Sequence, residues 1–282
     1  MMLDSIFELK LYYASNFIGM SNIKKILVPF DFTEPAIVAL DYTLSFVGWK
    51  NPVQVMALYV SGTHASDTER QQAKENFAKI ANSLNRRTHY HPELLISEGN
   101  LTKSILNARK TLGADLVIMG TLGDSSIEEH ITNTSELVLQ ADSPIITVPF
   151  GGEVKTPKEI ALVLGKEEIE QPKVLGLLLD IARSFDARVH VLTIYKESIY
   201  GEKVLVETNE NTLEYYLEHF YSEHNFQKNQ DIEKGILDYI EEKNIDLLAI
   251  LPRNHAQKTK PSEGRLTKLL TLHSSVPVLT LD

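Results

Sequence analysis

Short apolar runs alternate with amphipathic stretches along the first half of the chain. The runs are the right length for buried strands, and the stretches between them carry apolar residues at helical spacing. Ala36, Leu40 and Leu44 mark one such helical face, with Thr33 before it as an N-cap and Gly48 as its end. This order predicts strands at 26–30, 53–60, 88–96, 115–119 and 144–149, with helices at 35–47, 67–85, 101–112 and 134–141.

The same order starts again after a turn-rich linker at 151–157. Asp115 and Asp246 begin matching apolar runs 131 residues apart, and Pro144 and Pro277 precede matching runs 133 residues apart. Near-constant spacing indicates a tandem duplication. The second half is predicted to contain strands at 159–164, 187–195, 246–250 and 276–280 and helices at 173–185, 211–221 and 232–244.

Strands that alternate with helices favour an α/β fold with a mainly parallel sheet. The duplication divides the chain into a first domain at 21–150, the linker at 151–157 and a second, degenerate domain at 158–282. Residues 1–20 precede a natural start at Met20 and are predicted to be a poorly ordered extension.

A ligand site is expected where the fourth strand ends on Gly120, with Gly123 three residues later. Glycines at the carboxyl end of a parallel strand let backbone amides approach an anion, and a helix amino terminus nearby adds a favourable dipole. In open parallel sheets ligands bind at this edge.

Composition narrows the classes of partner. The net charge of −10 disfavours a protein that coats nucleic acid, because the phosphates would repel it. The 282 residues contain no cysteine, which excludes disulfides, thiolate metal sites and cysteine nucleophiles. No apolar run approaches the roughly 20 residues of a membrane span, and the amino terminus lacks signal-peptide order, so no membrane partner and a cytoplasmic location are expected.

Residues 26–33, 113–123 and 143–148 together resemble the universal stress protein family. The likeness covers 23–149 well and 158–282 weakly, as in tandem members that carry two such domains. It implies two open, twisted, five-stranded, Rossmann-like parallel sheets with helices on both faces. It also implies that the fifth strands, at 145–148 and 278–281, pair the two domains as an internal pseudo-dimer, with a further homodimer of two chains left open.

By resemblance, ATP-binding members hold the phosphates on a motif of two glycines followed nine residues later by a glycine and a serine or threonine. Gly120 and Gly123 match its first part, whereas Asn133 and Thr134 stand at its end. Asp31 matches the acid that contacts base or ribose, and Val60 matches the adenine-side position. The resemblance therefore implies ATP with Mg²⁺, or another small anionic ligand, in the first domain, whereas no nucleotide is expected in the degenerate second domain.

Two features disturb that motif. Asn133 places a side chain where glycine permits close approach, and Asp124, Glu128 and Glu129 put three carboxylates near the phosphates. Purely structural roles also stay open. Gly120 and Gly123 would then make a tight turn, Asp31 would cap a helix, and Thr134 would be an N-cap.

The second half departs further from the motif. Pro252, Arg253, Asn254 and His255 stand where the first half has its glycines, and Lys166 and Glu167 fall near the position of Asp31. The basic segment 253–273 is either an amphipathic helix with a solvated face or a site for an anion or protein partner.

Catalytic and metal sites find little support. His89 and His91 share a strand face but have no third ligand nearby. No phosphate loop of the G-x-x-x-x-G-K-[ST] type occurs. The chain is therefore expected to be a regulatory or ligand-sensing stress protein without catalytic residues. Two alternatives are a scaffold that contacts an unknown regulatory protein and a weak ATP hydrolase.

Overall fold

The computed structural model describes residues 23–47, 53–62, 65–84, 91–122, 133–152, 155–165, 169, 172–196, 213–251 and 264–281. Several expectations lie outside the described residues. They concern the extension at 1–20, Gly48, His89, Gly123, the acidic residues at 124–129, Lys166 and Glu167, and Pro252 to His255.

The first half contains five strands and four helices among its described residues. The element that follows β1 begins directly after Thr33, whose carbonyl accepts the Ile37 N–H at 3.0 Å. The bounds are β1 Lys25–Pro29, α1 Glu34–Val47, β2 Gln54–Ser61, α2 Asp67–Leu84, β3 Glu93–Glu98, α3 Leu101–Leu112, β4 Leu116–Thr121, α4 Asn133–Gln140 and β5 Ile145–Pro149.

The second half repeats most of this order. A 3₁₀ turn at Pro172–Val174 leads into its first helix, and another at Glu218–Phe220 precedes its third strand. The bounds are β6 Glu159–Val163, α5 Leu175–Phe185, β7 Arg188–Tyr195, β8 Tyr221–Lys228, α6 Ile232–Lys243, β9 Leu247–Ile250, α7 Arg265–His273 and β10 Val278–Thr280.

All ten strands form one sheet in the order β3-β2-β1-β4-β5-β10-β9-β6-β7-β8. Every neighbouring pair is parallel except β5 and β10, which run antiparallel with Val278 opposite Thr147 and Thr280 opposite Ile145. The order read outward from this central pair is the same on both sides. The pairing of the fifth strands expected from the sequence is thus present in the structure.

Helices cover both faces of the sheet. The core under α1, α2 and α5 is continuous across the two halves, and Phe46 of α1 packs on Phe185 of α5 with ring centroids 5.0 Å apart. The opposite face carries two separate cores, one under α3 and α4 and one under α6 and α7. Across the described residues, no helix combines the length and apolar character needed to span a bilayer.

Corresponding polar contacts fix the two halves at the same points. Asp115 Oδ2 accepts the Lys24 and Lys25 amides at 2.8 and 2.9 Å, and Asp246 Oδ2 accepts the Lys158 and Glu159 amides, both at 3.0 Å. The helices before these strands also match. Asn100 and Asp231 cap the amino termini of α3 and α6, and both helices end on a left-handed residue, Gly113 and Asn244.

Two predicted elements are wrong in extent. The strand predicted at 88–96 is β3, Glu93–Glu98, which starts directly after Pro92, a residue without an N–H for the ladder. The helix predicted at 211–221 is α-helical at 213–217, continues as a 3₁₀ turn and gives way to β8 at Tyr221. Glu218 adopts a left-handed φ of 53°, which stops the α-helix.

Candidate functional site

Three of the residues predicted to bind a nucleotide lie at the carboxyl ends of β1, β2 and β4. Asp31 follows β1, Val60 is near the end of β2, and Gly120 is near the end of β4. Thr134, in the first turn of α4, donates its hydroxyl to the Gly120 carbonyl at 3.4 Å. Because the three strands are parallel neighbours, their carboxyl ends meet at one edge of the sheet.

Asp31 is exposed and shapes the entry to α1. Its Oδ1 accepts the Thr33 amide at 3.1 Å and the Thr33 hydroxyl. This is an Asx-type turn, so one carboxylate oxygen has a structural role. No group among the described residues donates a hydrogen bond to Oδ2, so this oxygen can accept one from a ligand hydroxyl.

Gly120 is required by close packing. A Cβ built on it would lie 2.1 Å from the Pro35 carbonyl oxygen and 2.4 Å from the Pro35 carbonyl carbon. The first turn of α1 thus rests on the backbone of β4 where any larger residue would collide. Gly120 has no positive φ, so a tight turn is not the reason for this glycine.

Phe32 joins β1 to α1 in an unusual conformation. Its φ is 66°, a left-handed value that costs a residue with a large side chain about 1–2 kcal/mol. Its ring packs edge-on against Phe30 and Tyr59, with centroids 5.1 and 5.2 Å away. These contacts hold in place the strained residue that directly follows Asp31 in the chain. Sequence reasoning missed Phe32, because nothing local to the chain marks a phenylalanine for positive φ.

Val60 and Thr134 belong to the face of the sheet that α3 and α4 cover. Val60 is half-buried and packs against the core under those helices, and Thr134 is buried. Asn133 is the first residue of α4. The structure therefore brings the helix amino terminus, the end of β4 and Asp31 to one edge, while Gly123 lies outside the described residues.

Comparison with known proteins identifies the first half. Residues 22–149 match the model of the universal stress protein family. They are a universal stress protein domain. A search of curated proteins found no match.

Solved structures extend the likeness to most of the chain. A universal stress protein from Archaeoglobus fulgidus aligns with 93% of this chain and 97% of its own, at 14% identity and a TM-score of 0.69. A putative universal stress protein from Pseudomonas aeruginosa aligns with 93% and 94%, at 12% identity and a TM-score of 0.61. At these identities the likeness shows a shared fold. A third, an Archaeoglobus fulgidus protein in complex with dAMP, covers 45% of this chain and 100% of its own, at 15% identity and a TM-score of 0.34.

Outside the universal stress protein domain, a cluster of charged residues joins β6, β7 and β8. His190 is buried, and its Nε2 lies 2.7 Å from Glu159 Oε2, while Arg188 pairs with the other oxygen of Glu159. His190 Nδ1 is 3.8 Å from Glu223, too far for a hydrogen bond. Desolvation opposes ionisation of Glu159, but hydrogen bonds from Arg188 and His190 outweigh it and lower the pKa of that carboxyl. Sequence reasoning missed this cluster.

A second histidine, His224 on the neighbouring strand β8, is neutral at pH 7. His224 Nε2 lies 2.9 Å from the Thr193 hydroxyl, and the ring stacks on Phe226. Burial lowers the pKa of His224 to about 4. Nearby, burial raises the pKa of Tyr239 to about 12, with Glu223 among the charges that add to the effect. Among the described residues, no group of three His, Asp or Glu side chains is placed to hold a metal ion.

Proposed function

We propose that this chain is a regulatory, ligand-sensing stress protein whose universal stress protein domain holds an adenine nucleotide. The observation that carries the proposal is the meeting of Asp31, Val60, Gly120 and Thr134 at the carboxyl edge of β1, β2 and β4. Parallel α/β sheets bind their ligands at this edge. The chain would signal through the bound nucleotide without turning it over.

The nucleoside half of the site fits well. Asp31 Oδ2 would accept a ribose or base hydrogen bond, and the apolar Val60 would border the base. The phosphates would lie at the amino terminus of α4, where orphan amides and the helix dipole favour anions. Asn133 at that end and the Thr134 hydroxyl, engaged with Gly120, make this half the weaker one. Mg²⁺ would be bound mainly through the phosphates of ATP.

We also infer that residues 158–282 are a second, divergent copy of the domain. The matching Asp115 and Asp246 contacts and the matching strand orders support this inference. In the second copy Leu251 stands at the place of Gly120 and packs against the core, so no nucleotide is expected there.

Calorimetric titration of the full chain with Mg-ATP tests the proposal. We expect saturable binding in the wild type, and roughly ten-fold weaker binding in Asp31→Ala, because a charge-assisted hydrogen bond is lost. Thr134→Val reports on the phosphate end. Glu75→Gln, on the exposed surface of α2, is the matched control and should bind like the wild type. Absence of heat at millimolar Mg-ATP would sink the proposal.

Phosphate release, measured in the same samples, separates sensing from hydrolysis. We expect no release above a protein-free blank. Release that disappears in Asp31→Ala would instead support the weak hydrolase.

A scaffold without nucleotide is the second candidate, and one observation favours it. Gly120 is fully accounted for by the packing of Pro35, so this glycine does not by itself require a ligand. Of the basic segment, α7 packs against α4 and α6, and its His273 pairs with Glu233 at 2.6 Å, which leaves the exposed Arg265 and the half-buried Lys268 as its other cations. Capture of a protein partner by the wild type and by Asp31→Ala alike, with no heat from Mg-ATP, would support the scaffold.

A further inference from the structure

An open groove of about 560 Å³ lies where the two halves of the chain meet. It is formed by the end of α3 and the amino ends of β1 and β4 on one side and by the start of α5 on the other. It therefore lies at the opposite edge of the sheet from the candidate nucleotide site. The residues that matter for its chemistry are Arg109, Lys110, Asp115, Lys173, Gly176 and Asp180.

Three cations line this groove. Lys110 and Lys173 are exposed and make no ion pair within the part of the chain that the structure describes. Arg109 reaches Asp142 at 3.2 Å, but that carboxylate is 86% exposed and holds the arginine only weakly. Of the two lining acids, Asp115 already accepts two backbone amides and Asp180 is buried. The groove thus offers more available positive than negative charge.

Gly176 keeps the groove open. A Cβ on this residue would meet nothing within 4 Å, and Gly176 has no positive φ, so neither packing nor backbone geometry demands glycine. Val174 is the N-cap of α5, the helix that contains Gly176, and its apolar side chain makes no capping hydrogen bond. The backbone amides of the first turn therefore donate to no N-cap side chain.

The matching place in the other junction has the opposite character. The buried residues of α1 and α5 align so that Phe46 matches Phe185 and Ala36 matches Leu175. Ile37 then matches Gly176, and Glu34 matches Lys173. The caps of α3 and α6 match Arg109 with Ile240 and Lys110 with Glu241. The duplicated framework therefore carries small and basic residues at one junction, and bulky and acidic ones at the other.

We propose that the groove between the halves binds a small anion through a phosphate or carboxylate group, at a site separate from the nucleotide site. Lys110, Arg109 and Lys173 supply the charge, and Gly176 supplies the space. Because the bound anion contacts cations from both halves, it stabilises the packing of the two halves. Its affinity falls as the salt concentration rises.

Calorimetry of the full chain at low salt, with inorganic pyrophosphate in one arm and citrate in the other, tests the proposal. We expect saturable binding of at least one probe, and the arm that binds identifies the group. Lys110→Gln should weaken binding roughly ten-fold. Gly176→Ile, which installs the residue of the other junction, should abolish it. Lys103→Gln, an exposed lysine on the same helix outside the groove, should leave it unchanged.

Three results would overturn the proposal. They are no heat from either probe at millimolar concentration, undiminished binding in Gly176→Ile, and binding that Thr134→Val removes while Gly176→Ile retains it. If Gly176→Ile does not fold, the double variant Lys110→Gln with Lys173→Gln decides, and equal affinity to the wild type would count against the groove.

Discussion

The two halves of the sheet share a framework but differ in what they bury. In the first half Met56 lies opposite Leu27 in the ladder and is buried in an apolar core. In the second half His190 takes that place opposite Ala161, held by Glu159. Leu94 and His224 differ in the same way on the third strands. The duplicated backbone thus tolerates either an apolar or a hydrogen-bonded interior at the same register positions.

The ends of the fourth strands teach a second lesson. The first half has Gly120 because Pro35 lies against it, and the second half has Leu251 at that place. From sequence, the missing glycine predicts that the second half has lost a phosphate site. The structure adds a packing reason for the difference, because Gly120 makes room for a helix of its own half. Substitutions that exchange residues between the halves test how far each difference is structural.

The largest effect is expected for Gly120→Ala. The new methyl group would overlap the Pro35 carbonyl, and displacing α1 should cost about 2–3 kcal/mol of unfolding free energy. Urea unfolding followed by circular dichroism measures the shift in midpoint. Gly62→Ala, where a Cβ meets nothing within 4 Å, is the control and should shift it little. An unchanged midpoint for Gly120→Ala would mean that a ligand, and not packing, requires this glycine.

A smaller effect is expected for His190→Met, which installs the residue of the first half. It removes a partner of the mostly buried Glu159 carboxylate and should cost about 1–2 kcal/mol at neutral pH. Glu159 has a lowered pKa, so its contribution is present above the ordinary value of 4.5 and is lost as pH falls below it. As the pH is lowered from 6 to 3, the midpoint of urea unfolding should therefore fall less in His190→Met than in the wild type. A steeper fall would contradict this assignment.

The smallest effect is expected for His224→Leu, which copies Leu94. The pKa of His224 is about 4 in the folded chain against an ordinary 6.5, so between these values the unfolded chain binds the extra proton. Wild-type stability should fall as pH drops from 7 to 4. Solvent access limits the His224 share to about 1 kcal/mol. Thermal melting of both proteins at pH 7 and pH 5 checks this, and identical pH dependence would exclude His224 as a source.

Most of the fold could be predicted because its strands carry strong local signals. The buried strands β1, β4, β5 and β9 are nearly all apolar, and Gly113 ends α3 as expected. By contrast β8, with Ser222, Glu223, His224 and Asn225, lies at the sheet edge and is mostly half-exposed. A polar edge strand has no apolar run to mark it, so the sequence pattern predicts a helix that runs into β8.

The residues of the two candidate sites also differ in how well the sequence predicts their positions. Asp31, Gly120 and Thr134 follow predicted strands or begin a predicted helix, so strand order alone places them at one edge. Arg109 and Lys173 are distant in sequence, and only the pairing of β5 with β10 brings their helices together. The close approach of Pro35 to Gly120 likewise depends on how a helix rests on a strand. Sequence patterns do not fix such contacts between elements.

The antiparallel pairing of Thr147 with Val278 within one chain has a consequence for how this protein can change. Between identical subunits, every substitution at such a junction appears twice, so an improvement on one side is copied to the other. Here each side mutates alone, which lets Gly176 and Arg109 persist at one junction while Ile37 and Ile240 persist at the matching sequence positions of the other half. Covalent linkage also keeps the junction together on dilution, so its asymmetry persists at any cellular concentration.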